Sequence, residues 1–301
     1  MPERVAGPFA EAMGEVGGGG DGSFGVNWVD PGLAAERGIG VPLMAAALGP
    51  NAGTLLERAH VVRRRFGVDP LGARRLIAIG GSYAFGLRMD GVDGRPLADV
   101  LAGAGDRVRR SGGVELANVG GYAQVPQPFL DAGIRGLGAR DAFARDLAIL
   151  AMSSRARAAL LGRGEPLSGE ATYRAAADCL GDVAAVRSIP DKHLLSSEVG
   201  VDLVAIGMAS ARDEVLCMVG GSSERAEQVA ERLEAGFAPG ARDPQTDEPM
   251  GELVSSLDVT SHSYEGVEVV RAQLATPPGA PRGFLFGRIA TGSIPYILAG
   301  D

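Results

Sequence analysis

Leu76-Ile77-Ala78-Ile79-Gly80 and Leu203-Val204-Ala205-Ile206-Gly207 read as two versions of one phrase. In each, a short polar or glycine break leads to a second apolar stretch, residues 83–89 and 214–219. Each second stretch ends at glycines, Gly91 and Gly220-Gly221, and a helix-like segment follows. A fixed order of elements repeated at a long period predicts duplication of one α+β unit. Near-continuous apolar runs place these strands centrally in a sheet, and the short breaks between them make hairpins. The fold class expected is therefore α+β: two similar lobes of mainly antiparallel, hairpin-linked strands with packed helices.

Working outward, residues 1–25 read as a flexible tether because of the run Gly17-Gly18-Gly19-Gly20-Asp21-Gly22-Ser23. The first lobe is expected over 26–165 and the second over 166–301, with the boundary at the linker 162–169. In the first lobe, Leu55, Ala59, Val62 and Phe66 recur at helical spacing and predict one helix over 54–66, with Arg63-Arg64-Arg65 in its last turn. A short helix is expected over 95–104, an irregular strand pair over 114–125 and a strand over 146–152. In the second lobe, a helix over 171–180 precedes the 201–219 hairpin. Ser222 or Ser223 then caps a helix with Ala226, Val229, Ala230 and Leu233 along its packing stripe. Residues 254–263 and 265–274 alternate as strands about Tyr264-Glu265-Gly266, and 284–290 read as a last strand.

The chain of 301 residues is long enough for one large or two modest domains. Its formal net charge of −8 disfavours nucleic acid as a partner and argues against adsorption to an anionic membrane. Residues 38–56 carry no charge, but Pro42, Gly49, Pro50 and Gly53 break them short of the roughly 20 apolar residues a bilayer requires. Arginine supplies every basic side chain except Lys192, which reads as a coding bias of a high-GC genome and not as guanidinium chemistry.

Few residues carry a chemical signal. Gly80-Gly81-Ser82-Tyr83-Ala84 approximates a nucleophile elbow, and Ser82 with His262, and Asp258 nearby, would make a serine hydrolase. The elbow needs a helix after the serine, whereas 83–89 read as a strand, so a hairpin turn is the preferred reading and no catalytic residue is assigned. Gly220-Gly221-Ser222-Ser223 reads as a capped helix start, since Glu224 stands where an anion would sit. His60, His193 and His262 are scattered without zinc-type spacing, so neither a metal nor a cofactor is expected. Trp28 reads as an anchor to the core. Cys179 and Cys217 both point inward, one from a helix and one from a strand; buried free thiols and a disulfide fit equally.

The run Arg174-Ala175-Ala176-Ala177-Asp178-Cys179-Leu180-Gly181-Asp182-Val183-Ala184-Ala185, followed by Glu214-Val215-Leu216-Cys217, resembles uncharacterised lipoprotein-type extracytoplasmic proteins of high-GC Gram-positive bacteria. The resemblance is best over 170–220. It implies export, a disulfide between Cys179 and Cys217, and a lipid anchor removed with a leader ahead of residue 1. The membrane would then be met only through that anchor; without export the protein would be cytoplasmic. The function expected is a non-enzymatic extracytoplasmic domain binding a small molecule or protein partner in the seam between two lobes, with the Ser82–His262 hydrolase as the alternative.

Overall fold

A computed structural model describes residues 7–18, 25–80, 85–104, 107–111, 113–118, 125–134, 137–190, 200–243 and 246–290. The chain divides into two compact units, Gly14–Leu167 (the first lobe) and Met1–Met13 with Ser168–Asp301 (the second lobe).

The N-terminal segment departs from the expected tether. Helix α1 spans Pro8–Gly14, and Phe9, Ala12, Met13 and Val16 are all buried. Gly17 and Gly18 donate backbone hydrogen bonds to the carbonyls of Ala159 and Glu165. Four apolar residues at helical spacing give residues 8–16 a face to bury, and that outweighs the glycines beside them. Residues 19–24 lie outside the described set.

In the first lobe, β1 (Gly25–Val29) leads through α2 (Pro31–Glu36), α3 (Val41–Leu48), α4 (Pro50–Glu57) and α5 (Ala59–Phe66) to the hairpin of β2 (Arg75–Gly80) and β3 (Gly86–Asp90). Then come α6 (Arg95–Gly103), β4 (Arg107–Ser111), β5 (Val114–Asn118), α7 (Gln127–Asp131), β6 (Arg140–Ala144), β7 (Leu147–Ala151) and α8 (Ser154–Leu160). Within this lobe the strands lie in the order β1-β2-β3-β7-β6-β5-β4, antiparallel at each pairing. Five of these helices, α2, α3, α4, α6 and α7, carry a proline at their first or second position, where the missing N–H costs nothing. The helix expected over 54–66 is two, broken at Arg58, whose guanidinium reaches the Ala132 carbonyl at 3.3 Å. Strand β4 carries three exposed arginines and no apolar alternation, so its existence depends on pairing with β5.

The second lobe runs α9 (Ala171–Leu180), β8 (Ala185–Pro190), β9 (Leu203–Met208), β10 (Asp213–Val219), α10 (Ser223–Gly236), α11 (Met250–Leu253), β11 (Ser256–Tyr264), β12 (Val267–Ala275) and α12 (Phe284–Ala290). Its strand order is β8-β9-β10-β12-β11, again antiparallel throughout. Ser222 caps α10, its side chain accepting from the Arg225 N–H at 3.2 Å. Glu265 and Gly266, at φ 51° and 82°, make a two-residue turn between β11 and β12.

The expected last strand at 284–290 is a helix. A seven-residue, mostly apolar segment cannot be assigned by periodicity alone. Here Glu214 on β10 accepts from the N–H groups of Leu285 and Phe286 at 3.2 and 3.3 Å, satisfying donors that a helix start leaves free. Phe284 packs edge-on against Phe237 with centroids 6.3 Å apart, and Arg288 lies over the Phe284 ring at 4.9 Å while pairing with Asp243.

Candidate functional site

Most of the buried charge in this protein holds the fold. In the first lobe, Asp90 is 3% exposed and meets two arginines, Nε of Arg75 and Nε of Arg88, the latter at 2.7 Å. Glu15 pairs with both guanidiniums, and Arg88 also donates to the Glu15 and Leu160 carbonyls at 3.2 and 3.0 Å. Burial alone would lower the Arg75 pKa; hydrogen bonds to Glu15 and Asp90 reverse that and raise it. Asp141 accepts from the Ala151 N–H at 3.0 Å, across the β6–β7 hairpin. In the second lobe, Asp243 accepts from the Thr246 N–H at 3.1 Å and pairs with Arg288. Glu214 is the exception in its electrostatics. Burial pushes its pKa up to about 7, and the N–H donors at the start of α12 pull it back only in part.

The cysteines meet as the resemblance implied. Cys179 on α9 and Cys217 on β10 form a disulfide with Cα atoms 6.1 Å apart, both almost wholly buried. It clamps α9 onto the sheet face that also carries Arg271, whose Nε donates to the Cys179 carbonyl at 2.9 Å. One helical turn away, Arg174 pairs with Glu265 in the β11–β12 turn at 2.7 Å.

His262 sits on the same face of β11, with Nε2 3.9 Å from Asp178 Oδ2, too far for a hydrogen bond. Asp258 does not orient it, because two residues four apart on one strand are separated by about 13 Å. Ser82 and His193 lie outside the described residues. Trp28 is buried on β1, as an anchor should be, and its neighbour Asn27 donates to the Leu48 carbonyl at 3.2 Å. Among the described residues no group of three His, Cys, Asp or Glu side chains is placed to hold a metal ion, and no helix is long and apolar enough to cross a membrane.

An open cleft of about 440 Å³ does lie on the first lobe, lined by Ala59, His60, Arg63, Arg64, Asp69 and Leu71. Its geometry follows from local chain rules. Residues 60, 63 and 64 share one face of α5 by their spacing. Gly67, at φ 69°, ends the helix in a left-handed turn. Asp69 then accepts from the Leu71 N–H at 3.1 Å, which brings Asp69 and Leu71 back beneath that face. Asp69 Oδ2 lies 3.6 Å from Arg63, whose side chain remains 73% exposed, and Leu71 is one of two large apolar side chains exposed among the described residues. Two guanidiniums thus stand against a single carboxylate on a chain that is acidic overall. In the sequence, helix-end charge accounts for Arg63 and Arg64 but points to neither Asp69 nor Leu71, for which the Asx turn at Asp69-Pro70 is the available signal.

No protein-family model, no curated protein and no solved structure matches this chain.

Proposed function

We infer that this protein is a non-enzymatic, exported binding domain that takes a carboxylate- or phosphate-bearing ligand at the α5 cleft of its first lobe. The observation that carries the reading is the juxtaposition of His60, Arg63 and Arg64 around one exposed apolar side chain, Leu71, in a concavity of ligand size. Guanidiniums bind carboxylates and phosphates through paired N–H donors, and Leu71 would cover an apolar part of the ligand. Export is supported by the buried Cys179–Cys217 bond, because such bonds persist in oxidising compartments.

The same reading takes the two lobes as products of duplication. The supporting likeness is topological: β1-β2-β3-β7-β6 and β8-β9-β10-β12-β11 have the same order of pairing, with a helix after the third strand and another after the fifth. The β4–β5 hairpin and α7 are then additions of the first lobe.

Calorimetric titration with citrate and with inorganic phosphate tests the site. Binding in the sub-millimolar range is expected for at least one of them, weakened tenfold or more in Arg64→Glu and by added salt. Failure of both probes to bind, or equal binding by Arg64→Glu, refutes the reading.

A further inference from the structure

Strand β11 ends the sheet of the second lobe, and its outer edge has no strand partner among the described residues. Thr276 N–H donates to Arg212 and Gly220 N–H donates to Glu268, so even-numbered residues of β12 bond towards β10. By alternation Val267, Val269, Arg271 and Gln273 bond towards β11, where their register partners are Tyr264, His262, Thr260 and Asp258. The N–H and C=O groups of Leu257, Val259, Ser261 and Ser263 therefore point away from the sheet. The strand is nine residues long, paired without a bulge along its length, and contains no proline and no lysine. Asp258, Thr260, Ser261 and Ser263 are exposed. Long, regular edges of this kind are templates for strand addition.

The first lobe shows that this place in the pairing order accepts more strands. Its counterpart in order, β6, has its outer edge taken by β5, which in turn pairs with β4. Among the described residues strand β11 carries no such hairpin.

What fits the edge is written in its own sequence, Ser256-Leu257-Asp258-Val259-Thr260-Ser261-His262-Ser263-Tyr264. Antiparallel pairing with a second copy must set odd residues opposite odd ones, since only those present free backbone groups. Centred on Thr260, the pairing places Asp258 opposite His262 twice, Thr260 opposite Thr260, Val259 opposite Ser261 and Leu257 opposite Ser263. Thr–Thr is a favourable cross-strand pair, and Nδ1–H of His262, whose Nε2 is buried beside Asp178, is the ring donor left for the Asp258 carboxylate opposite it. Moving the centre to Val259 or Ser261 loses the Asp–His opposition. We propose that β11 is a homodimerisation edge, pairing antiparallel with β11 of a second copy about a two-fold axis at Thr260. The contact closes on itself, as an isologous interface must, and forms about eight backbone hydrogen bonds. It stands independently of the cleft on the first lobe.

The test is the oligomeric state of the whole chain. Light scattering coupled to size exclusion should show a monomer–dimer equilibrium with a midpoint of about 10–100 µM, as suits a contact smaller than a standard interface. Ser261→Pro removes an outward N–H while leaving the β12 ladder intact, a position where an edge strand tolerates proline. It should raise the midpoint at least tenfold. Register is read by mild oxidation of single-cysteine additions: Thr260→Cys, on the axis, should form a covalent dimer, and Ser256→Cys, four positions off it, should not. A wild type that stays monomeric tenfold above the expected midpoint overturns the proposal. So does a Ser261→Pro variant that dimerises unchanged, or Ser256→Cys crosslinking as readily as Thr260→Cys.

Discussion

Replacing Glu214 by glutamine should change how stability depends on pH, with a sign opposite to that of an ordinary paired carboxylate. The side chain is 1% exposed, and its carboxyl accepts from the N–H groups of Leu285 and Phe286 at the start of α12. Burial raises its pKa from the ordinary 4.5 to about 7 in the folded protein. Between those two values the folded state holds a proton that the unfolded state has released. Stability therefore falls as pH rises through that window; the contribution is complete below about 4.5 and gone above about 7. The difference between the two values corresponds to on the order of 3 kcal/mol. For a unit of this size that is about 6–12 °C in midpoint. Glutamine has the shape of the protonated acid and cannot ionise. Thermal unfolding followed by circular dichroism at pH 5 and pH 8, at constant ionic strength, should show Glu214→Gln within a few degrees of wild type at pH 5. At pH 8 the variant should melt higher by most of that interval. The other carboxylates titrate alike in both proteins and cancel in the comparison. A difference between the two proteins that stays flat from pH 5 to pH 8 would refute the argument, because burial would then not be setting the charge of this group.

Removing the disulfide as Cys179→Ala with Cys217→Ala should cost about 4 kcal/mol by the loop-closure relation for a separation of 38 residues, read from urea unfolding of the two proteins. Alkylation of the native protein without reductant should find no reactive thiol. Asp90→Ala leaves Arg75 and Arg88 buried around a vacated site, and a loss of about 3–5 kcal/mol is expected in the same assay. Glu15→Ala should cost clearly less, because its side chain is 42% exposed and its charge is better screened. An equal loss in both variants would show that the network does not concentrate on Asp90.

The central hairpin of each lobe and the helix that follows it were legible in the chain, because β2, β9 and the Val215–Val219 part of β10 are near-continuous apolar runs and α10 carries a clean stripe with a serine cap. The β11–β12 hairpin was legible from alternation around Glu265-Gly266, where the turn demands positive φ. The inward phase of Cys179 and Cys217 was also local information, since helical and strand periodicity set it. Their pairing was not: free thiols satisfied the same phases, and only packing of α9 on the sheet brings the Cα atoms to 6.1 Å. The strand β4 and the helix α12 belong to the same class. An arginine-rich pentapeptide becomes a strand because β5 is there to pair with it, and Phe284–Ala290 becomes a helix because Glu214, some seventy residues earlier, offers its carboxyl to the free N–H groups. The cleft divides in the same way. Helical spacing already placed His60, Arg63 and Arg64 together, while Asp69 and Leu71 join them only after the left-handed turn at Gly67 reverses the chain. Periodicity, caps and turns act over a few residues and are written in the sequence. Which strand edge is covered, which carboxyl is buried and which thiols meet depend on distant segments, and tertiary packing alone decides them.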